Sequence, residues 1–386
     1  MDITGFYVAL RRMIVVFDKT VFCRWNVHRV YMLSWVYLIA VYGIGTVSFH
    51  PTFNVSQNPF VNYYKDEWRG HYLYESLPLP LIAYFTGLSS SYAAFCAFCL
   101  FLLLCGNAFL VWRIFRQHGP EVARVSILLF ALGPISLVLL MFVGEYDVIT
   151  YLLQCLLFVC NSMLGIVLLG LAGGLQHFPV MLLSGLSLLC FRSLIQYGSL
   201  RLPEKILYAL AAYGGSILTR IYQQHYKLGI QTGRLSYVLR MPKTELIRNI
   251  LANWLACLFS LYGVFWMLVL LLAWMLFRSH RRAFWAFVIS NGVFLIVSQF
   301  VTDTTRVFVL CSWPTLLSAS IWLFAQTKDA PESESWQLRH FFSGIVIAGL
   351  LIPRMIVWQG AVYSSFLENL FHIGRHLFQG LMQRAS

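Results

Sequence analysis

Three short stretches carry the residues whose types could do chemistry. Asp66 and Glu67 lie in NYYKDEWRGHYLYESLPLPL, residues 62–81, with Arg69, His71 and Glu75 close by. Glu145 and Asp147 stand in GEYD, residues 144–147, where one apolar run ends and the next begins. Asp303 and Arg306 bound DTTR, residues 303–306, between two further apolar runs. A carboxylate placed beside a hydroxyl can take its proton or hold it in place. A planar guanidinium suits a phosphate or a carboxylate. Each stretch also has a structural reading. The first fits a wet interfacial loop with a Tyr/Trp belt. Asp147 is expected to act as the N-cap of the following helix, and the third stretch reads as a cap followed by a snorkelling Arg306. Glu145 has no capping duty and is the acid left over to line a site. The length of the first loop also favours function, because long structureless loops are uncommon in compact proteins.

The elements that must position these groups are membrane helices. The chain has 386 residues, 59% hydrophobic and 11% charged, against about 25% charged for a soluble protein. Several runs approach the ~20 apolar residues needed to cross ~30 Å of hydrocarbon. Only helices and closed barrels satisfy their backbone in lipid. The runs are continuous rather than alternating, which excludes a barrel. The fold class is therefore all-α, a polytopic transmembrane helical protein with about 9–11 crossings by hydropathy. Residues 1–386 read as one integral-membrane domain. It contains an external loop over 49–90, a basic loop over 220–249 and an amphipathic C-terminal helix over 361–384. Residues 148–192 are apolar almost throughout, broken at Asn161-Ser162 and at GGLQHFP, 173–179; two long helices or three short ones fit. A last span is expected over about 341–358. Arg192 and Arg354 fall close to or within apolar runs and are costly there unless paired or facing a cavity.

The formal net charge is +13. In a soluble chain that would suggest nucleic acid; here basic loops that set orientation and meet anionic lipid explain it, so the expected partners are membrane lipids and not nucleic acid. The basic N-terminal segment, the 113–124 loop and the 278–282 cluster all vote for the cytoplasmic side. The expectation is a multi-pass protein of a bacterial inner membrane with its N-terminus cytoplasmic, its first span serving as insertion signal. The acids then share the opposite face. One loop disagrees: the basic 220–249 segment falls on that face too, so either its Arg220, Lys227, Arg234, Arg240 and Lys243 are functional there, as a surface for lipid headgroups or pyrophosphate, or the middle of the chain has a different number of spans. Cys96 and Cys99 form a CxxC without further ligands and read as helix-packing residues. No phosphate-cradling Gly-rich loop, HExxH, GxSxG or metal-ligand cluster occurs, so no metal residue is assigned, and a divalent cation stays an open element of the chemistry.

The order of these features resembles the GT-C superfamily of integral-membrane glycosyltransferases, especially its bacterial mannosyltransferase-like branches. Asp66 and Glu67, then GEYD at 144–147, then GLAGGLQHFPVMLL at 170–183 carry the resemblance, which covers about residues 30–195. It implies that an external-loop acid acts as general base or positions the acceptor, which makes Asp66 and Glu67 the catalytic candidates. It implies a polyprenyl-phosphate sugar as donor and a lipid- or glycan-linked acceptor. Glu145, Asp147, His177, Arg220, Asp303 and Arg306 are the substrate-binding candidates. One departure stands out: many members carry Lys before the Pro at position 179, and His177 stands here instead. A lipid-linked oligosaccharide flippase or polymerase, or another multi-span transporter, is the alternative, since intramembrane Arg and broken helices suit it too. The absence of an inverted repeat weighs against a secondary transporter. A non-catalytic assembly subunit is a third reading, in which none of these loop acids matters.

Overall fold

The structure is a computed structural model that describes residues 3–45, 51–62, 74–228, 243–326, 332–358 and 360–363. It is all-α and multi-pass, as the continuous apolar runs require. The helices are α1 (Ile3–Asp18), α2 (Val27–Tyr42), α3 (Pro51–Gln57), α4 (Pro78–Phe85), α5 (Tyr92–His118), α6 (Pro120–Leu132), α7 (Pro134–Met141) and α8 (Asp147–Val159). They continue as α9 (Met163–Tyr197), α10 (Leu202–His225), α11 (Lys243–Ala252), α12 (Trp254–Tyr262), α13 (Trp266–Ser279), α14 (Arg281–Gln299), α15 (Thr304–Gln326) and α16 (Glu332–Leu351). A small hairpin, β1 (Ile356–Trp358) with β2 (Ala361–Tyr363), follows.

By length and apolarity, five stretches among the described residues can cross a membrane: α5, α9, Trp254–Ser279, α14 and α15. A sixth is α6 with α7, bent by 54° at Gly133. The hydropathy reading of about 9–11 crossings is larger because it also counted short apolar helices, such as the 16-residue α2 and the 13-residue α8. It differs as well over 341–358. There α16 ends at Leu351, ahead of Pro353, and the chain turns into β1. Proline lacks the N–H a helix would need. The opening of the expected 361–384 helix, Ala361–Tyr363, is strand, and residues 364–384 lie outside the described residues.

The apolar block 148–192 resolves into α8 and α9, and α9 turns back on itself. His177 has non-helical φ −160° and ψ 76°, two residues before Pro179. A Cβ on Gly173 would lie 2.9 Å from the Cβ of Met181. Eight residues of straight helix would separate them by about 12 Å. The cross-links agree. Gly165 sits against Ser162 at the α8–α9 turn, Gln176 reaches Tyr146 at the start of α8, and Arg192 returns to Leu157, Phe158 and Cys160 at its end. The first arm, 163–176, therefore runs antiparallel to α8 and the second, 178–197, runs parallel to it. Of the two readings of this block, the three-helix one describes the path.

Glycines let α9 approach α10 at backbone distance. A Cβ on Gly174 would meet the Ala212 carbonyl oxygen at 2.0 Å, and one on Gly215 would meet that of Leu171 at 2.2 Å. Small residues at such crossings replace the missing hydrophobic drive between helices in lipid. At the centre stands α15, buried from Thr304 to Phe324 on nearly every side and packed against α6, α7, α8, α9, α12, α14 and β1. Its hydroxyls and carbonyls are used as glue: Ser187 bonds Thr315 at 2.7 Å, Ser260 bonds Thr305 at 2.7 Å, and Gln154 Nε2 donates to the Leu310 carbonyl at 2.7 Å. The two costly arginines are both partnered. Arg192 Nη1 donates to the last carbonyls of α8, and its Nη2 to Asn161 at 2.6 Å. Arg354 Nη1 fills the α6–α7 break, donating to the Ala131 and Gly133 carbonyls and to Ser136 Oγ, with its guanidinium 3.7 Å from the Tyr42 ring centre.

Candidate functional site

The GEYD turn closes α7 and opens α8. Gly144 has φ +92°, and a Cβ there would stand 3.0 Å from Cys96 Sγ. Only glycine takes that backbone without strain. The Glu145 N–H donates to the Phe142 carbonyl at 3.0 Å, which fixes a tight turn. The expected capping role falls differently. Tyr146 occupies the N-cap position without a side-chain cap bond, and Asp147 is the first helical residue. Its charge still faces the positive helix end, but its carboxylate is directed across the bundle to α15.

Arg306, in the first turn of α15, is the receiver. Its Nε donates to Asp147 Oδ2 at 2.6 Å and its Nη1 to Asp303 Oδ2 at 3.2 Å. The guanidinium lies 4.5 Å from the Phe142 ring centre and 4.9 Å from that of Tyr146. Arg306 is only 8% exposed, so the snorkelling expectation does not hold. It turns inward because a buried cation needs partners, and two carboxylates and two ring faces supply them. Its Nη2 has no hydrogen-bond partner among the described residues.

Glu145 is buried and accepts a hydrogen bond from Thr52 Oγ1 on α3. Burial pushes its carboxyl up to about 8, against the opposing pull of Arg306 and of the Thr52 hydroxyl. It therefore keeps its proton at neutral pH. His177, at the α9 reversal, is buried with its ring 5.3 Å from Tyr146. Beside it, Gln176 Nε2 donates to the Tyr146 carbonyl at 2.7 Å, and the Gln176 carbonyl accepts from Ser76 Oγ at 2.5 Å. The Leu77 N–H donates to the Leu175 carbonyl at 3.2 Å.

One end of the bundle thus gathers Glu145, Asp147, His177, Asp303 and Arg306. Asp66 and Glu67 lie in 63–73, outside the described residues. The segments flanking them are seated on this end, residue 52 on Glu145 and residues 76–77 on the α9 reversal. Arg220 stands apart, exposed on α10, although Tyr222 of the same helix donates to the Pro59 carbonyl at 2.8 Å. Residues 229–242 of the basic loop, with Arg234 and Arg240, are also outside the described residues. Sequence reasoning missed Thr52, Tyr146, Gln176 and Ser76. Ser76, Gln176 and Tyr146 sat inside stretches already singled out. Thr52 gave no local signal, because its partner lies 93 positions away.

Chemically, the arrangement offers a neutral carboxyl, two carboxylates held by a fixed cation, and an imidazole against a phenol ring. Among the described residues no three His, Cys, Asp or Glu side chains gather as a metal site. Comparison with family models, with curated proteins and with solved structures finds no match to the chain.

Proposed function

We propose that the chain is a membrane glycosyltransferase that moves a sugar from a polyprenyl-phosphate donor to a lipid- or glycan-linked acceptor. The observation that supports it best is the convergence of Glu145, Asp147, Asp303 and Arg306 from separate segments at one bundle end. The seated flanks of the loop that carries Asp66 and Glu67 add to this. In this reading the loop acids take the acceptor proton. Asp147, pinned by Arg306, holds the acceptor, and Glu145, protonated below about pH 8, donates a hydrogen bond. The opposite end carries Arg113, Arg116, Arg278, Arg281 and Arg282 at helix termini. Positive residues stay inside, so these clusters support a cytoplasmic N-terminus and a non-cytoplasmic site, with the basic 220–249 segment the one loop that votes the other way; a bacterial inner membrane is the membrane this reading takes. A flippase or other transporter is the second reading, favoured by the broken helices at His177 and Gly133.

The test uses the full chain in proteoliposomes supplied with polyprenyl-phosphate sugars and a lipid acceptor extract. The expected result is sugar transfer that falls at least a hundredfold in Asp66→Ala or Glu67→Ala and in Asp147→Asn, with folded protein retained. Full activity in both loop variants refutes the catalytic assignment. Movement of a lipid-linked sugar across the bilayer without transfer supports the second reading.

A further inference from the structure

A cavity of about 500 Å³ opens at the bundle end opposite Arg306. It lies where α5, the α8–α9 turn, the end of α9 and the end of α15 meet. Its polar lining includes Gln117, His118, Asn161, Arg192, Gln196 and Gln326, and among the described residues none of its lining side chains is acidic. Arg192 is held rigidly by the α8 carbonyls through Nη1 and by Asn161 Oδ1 through Nη2. Its Nε bonds to none of the described residues. Asn161, accepting at Oδ1, keeps its amide N–H groups as donors. The wall on the other side is apolar, with Phe158, Val159, Ile195 and Ile321. Trp322 lines the cavity against the His280 ring, at 5.6 Å, as interfacial Trp residues do.

The charges around this end point the same way. Arg201 and Lys205 take up Glu204, and Arg339 takes up Asp18 and Glu121. Arg278 and Arg282 lie at the adjoining α13–α14 turn, where Arg282 Nη1 donates to the Gly198 carbonyl at 3.3 Å. Those pairs balance, so among the described residues Arg192, Arg278 and Arg282 are left in surplus at this end, and the described lining of the cavity carries no acid.

We propose that this cavity binds a phosphate group, carried by an anionic lipid headgroup or free in solution. Several N–H donors on a rigid frame suit the several oxygens of a phosphate, and a headgroup would place its glycerol and chains along the apolar wall. Basic pockets between membrane helices bind lipid headgroups by the same physics. The site is independent of the acid cluster and of the activity assigned to it.

The experiment is native mass spectrometry of the full chain, released from detergent with phosphatidylglycerol or phosphatidylcholine. Gln196 is exposed and without a bonded partner among the described residues, so Gln196→Glu adds a negative charge without removing a contact. The wild type is expected to retain phosphatidylglycerol about fivefold better than phosphatidylcholine, since one added charge contact of this kind is worth about a factor of five. Gln196→Glu, and separately Gln326→Glu, should bring the two lipids level. Displacement of phosphatidylglycerol by millimolar inorganic phosphate identifies a site for any phosphate, and its resistance identifies a headgroup site. Equal retention of both lipids by the wild type, or undiminished phosphatidylglycerol in both variants, overturns the proposal. Arg192→Lys keeps a donor for the α8 carbonyls, and its thermal stability reports whether loss of lipid reflects loss of fold.

Discussion

Replacing Arg306 by Met and Asp147 by Asn, singly and together, separates what the buried pair does for the fold from what it does for function. Asp147 is 1% exposed at its side chain, Arg306 10% and Asp303 24%. The Asp147 contact is therefore the desolvated one, while the Asp303 contact is partly screened and worth at most about 1 kcal/mol. Arg306→Met strands the Asp147 carboxylate in the interior. Breaking a buried pair in this way costs about 3–5 kcal/mol. Asp147→Asn leaves Arg306 still holding Asp303 and two ring faces, so its cost is smaller, about 1–3 kcal/mol, the penalty of a weakened buried bond. The double variant removes both charges at once. Neutralised buried pairs are often nearly as stable as the original, so the double should lose about 2–3 kcal/mol less than the two singles added together. In thermal unfolding of the detergent-solubilised chain, followed by tryptophan fluorescence, a kcal/mol corresponds to roughly 1–2 °C at this length, extending the size trend. Arg306→Met should fall by about 3–10 °C on that scale. The double should recover much of it while remaining inactive in sugar transfer. An unchanged melting temperature in Arg306→Met, or a double equal to the sum of the singles, refutes the reasoning.

Two further outcomes follow from the same turn and its surroundings. Glu145 has an ordinary value of 4.5 that burial raises to about 8, so the folded state prefers the protonated form. Stability should be fullest below about pH 4.5, decline as pH rises towards 8, and level off above it; melting curves across pH should lose that slope in Glu145→Gln, and a slope that persists in the variant assigns it to another group. Gly144→Ala should destabilise by at least about 1 kcal/mol through its left-handed backbone, whereas Gly292→Ala, on α14 with nothing within 4 Å of the added Cβ, should stabilise by about 0.5–1 kcal/mol; reversal of the two signs in thermal unfolding rejects the backbone argument.

The parts of this architecture legible in the sequence are those set by local physics. Continuous apolar runs announce membrane helices, and Pro179 with Gly173 and Gly174 marks a break in α9. What the sequence does not carry is the partner of each polar group. Asp147 reads as a cap because capping needs only its neighbours; its actual partner lies 159 positions on. Arg306 reads as a guanidinium reaching for the interface, because nothing local says that a carboxylate waits inside. Arg354 reads as a costly intramembrane charge until the α6–α7 break supplies the Ala131 and Gly133 carbonyls, more than 200 positions earlier. The alternation between two and three helices over 148–192 is undecidable by hydropathy for a related reason. A helix that reverses at His177 and one that bends there bury the same residues, and only long-range contacts, such as the Gly173–Met181 approach and the return of Arg192 to the end of α8, tell them apart.

The charge balance at the site bears on how a phosphate-linked donor would be handled. Arg306 contributes one positive charge against the carboxylates of Asp147 and Asp303, with Glu145 neutral below about pH 8. A departing phosphate gains little from a cation whose Nε and Nη1 are already committed to acids, since stabilisation of developing charge requires donors free to face it. The same fork is well suited to holding two acids in fixed positions, and fixed acids suit a hydroxyl. In the proposed transfer the acid cluster would therefore serve the acceptor half. The phosphate half would draw its cation from elsewhere on the same face, where the end of α10 and the turn after it carry Arg220 and Lys227, α10 being the helix that makes the Tyr222–Pro59 contact.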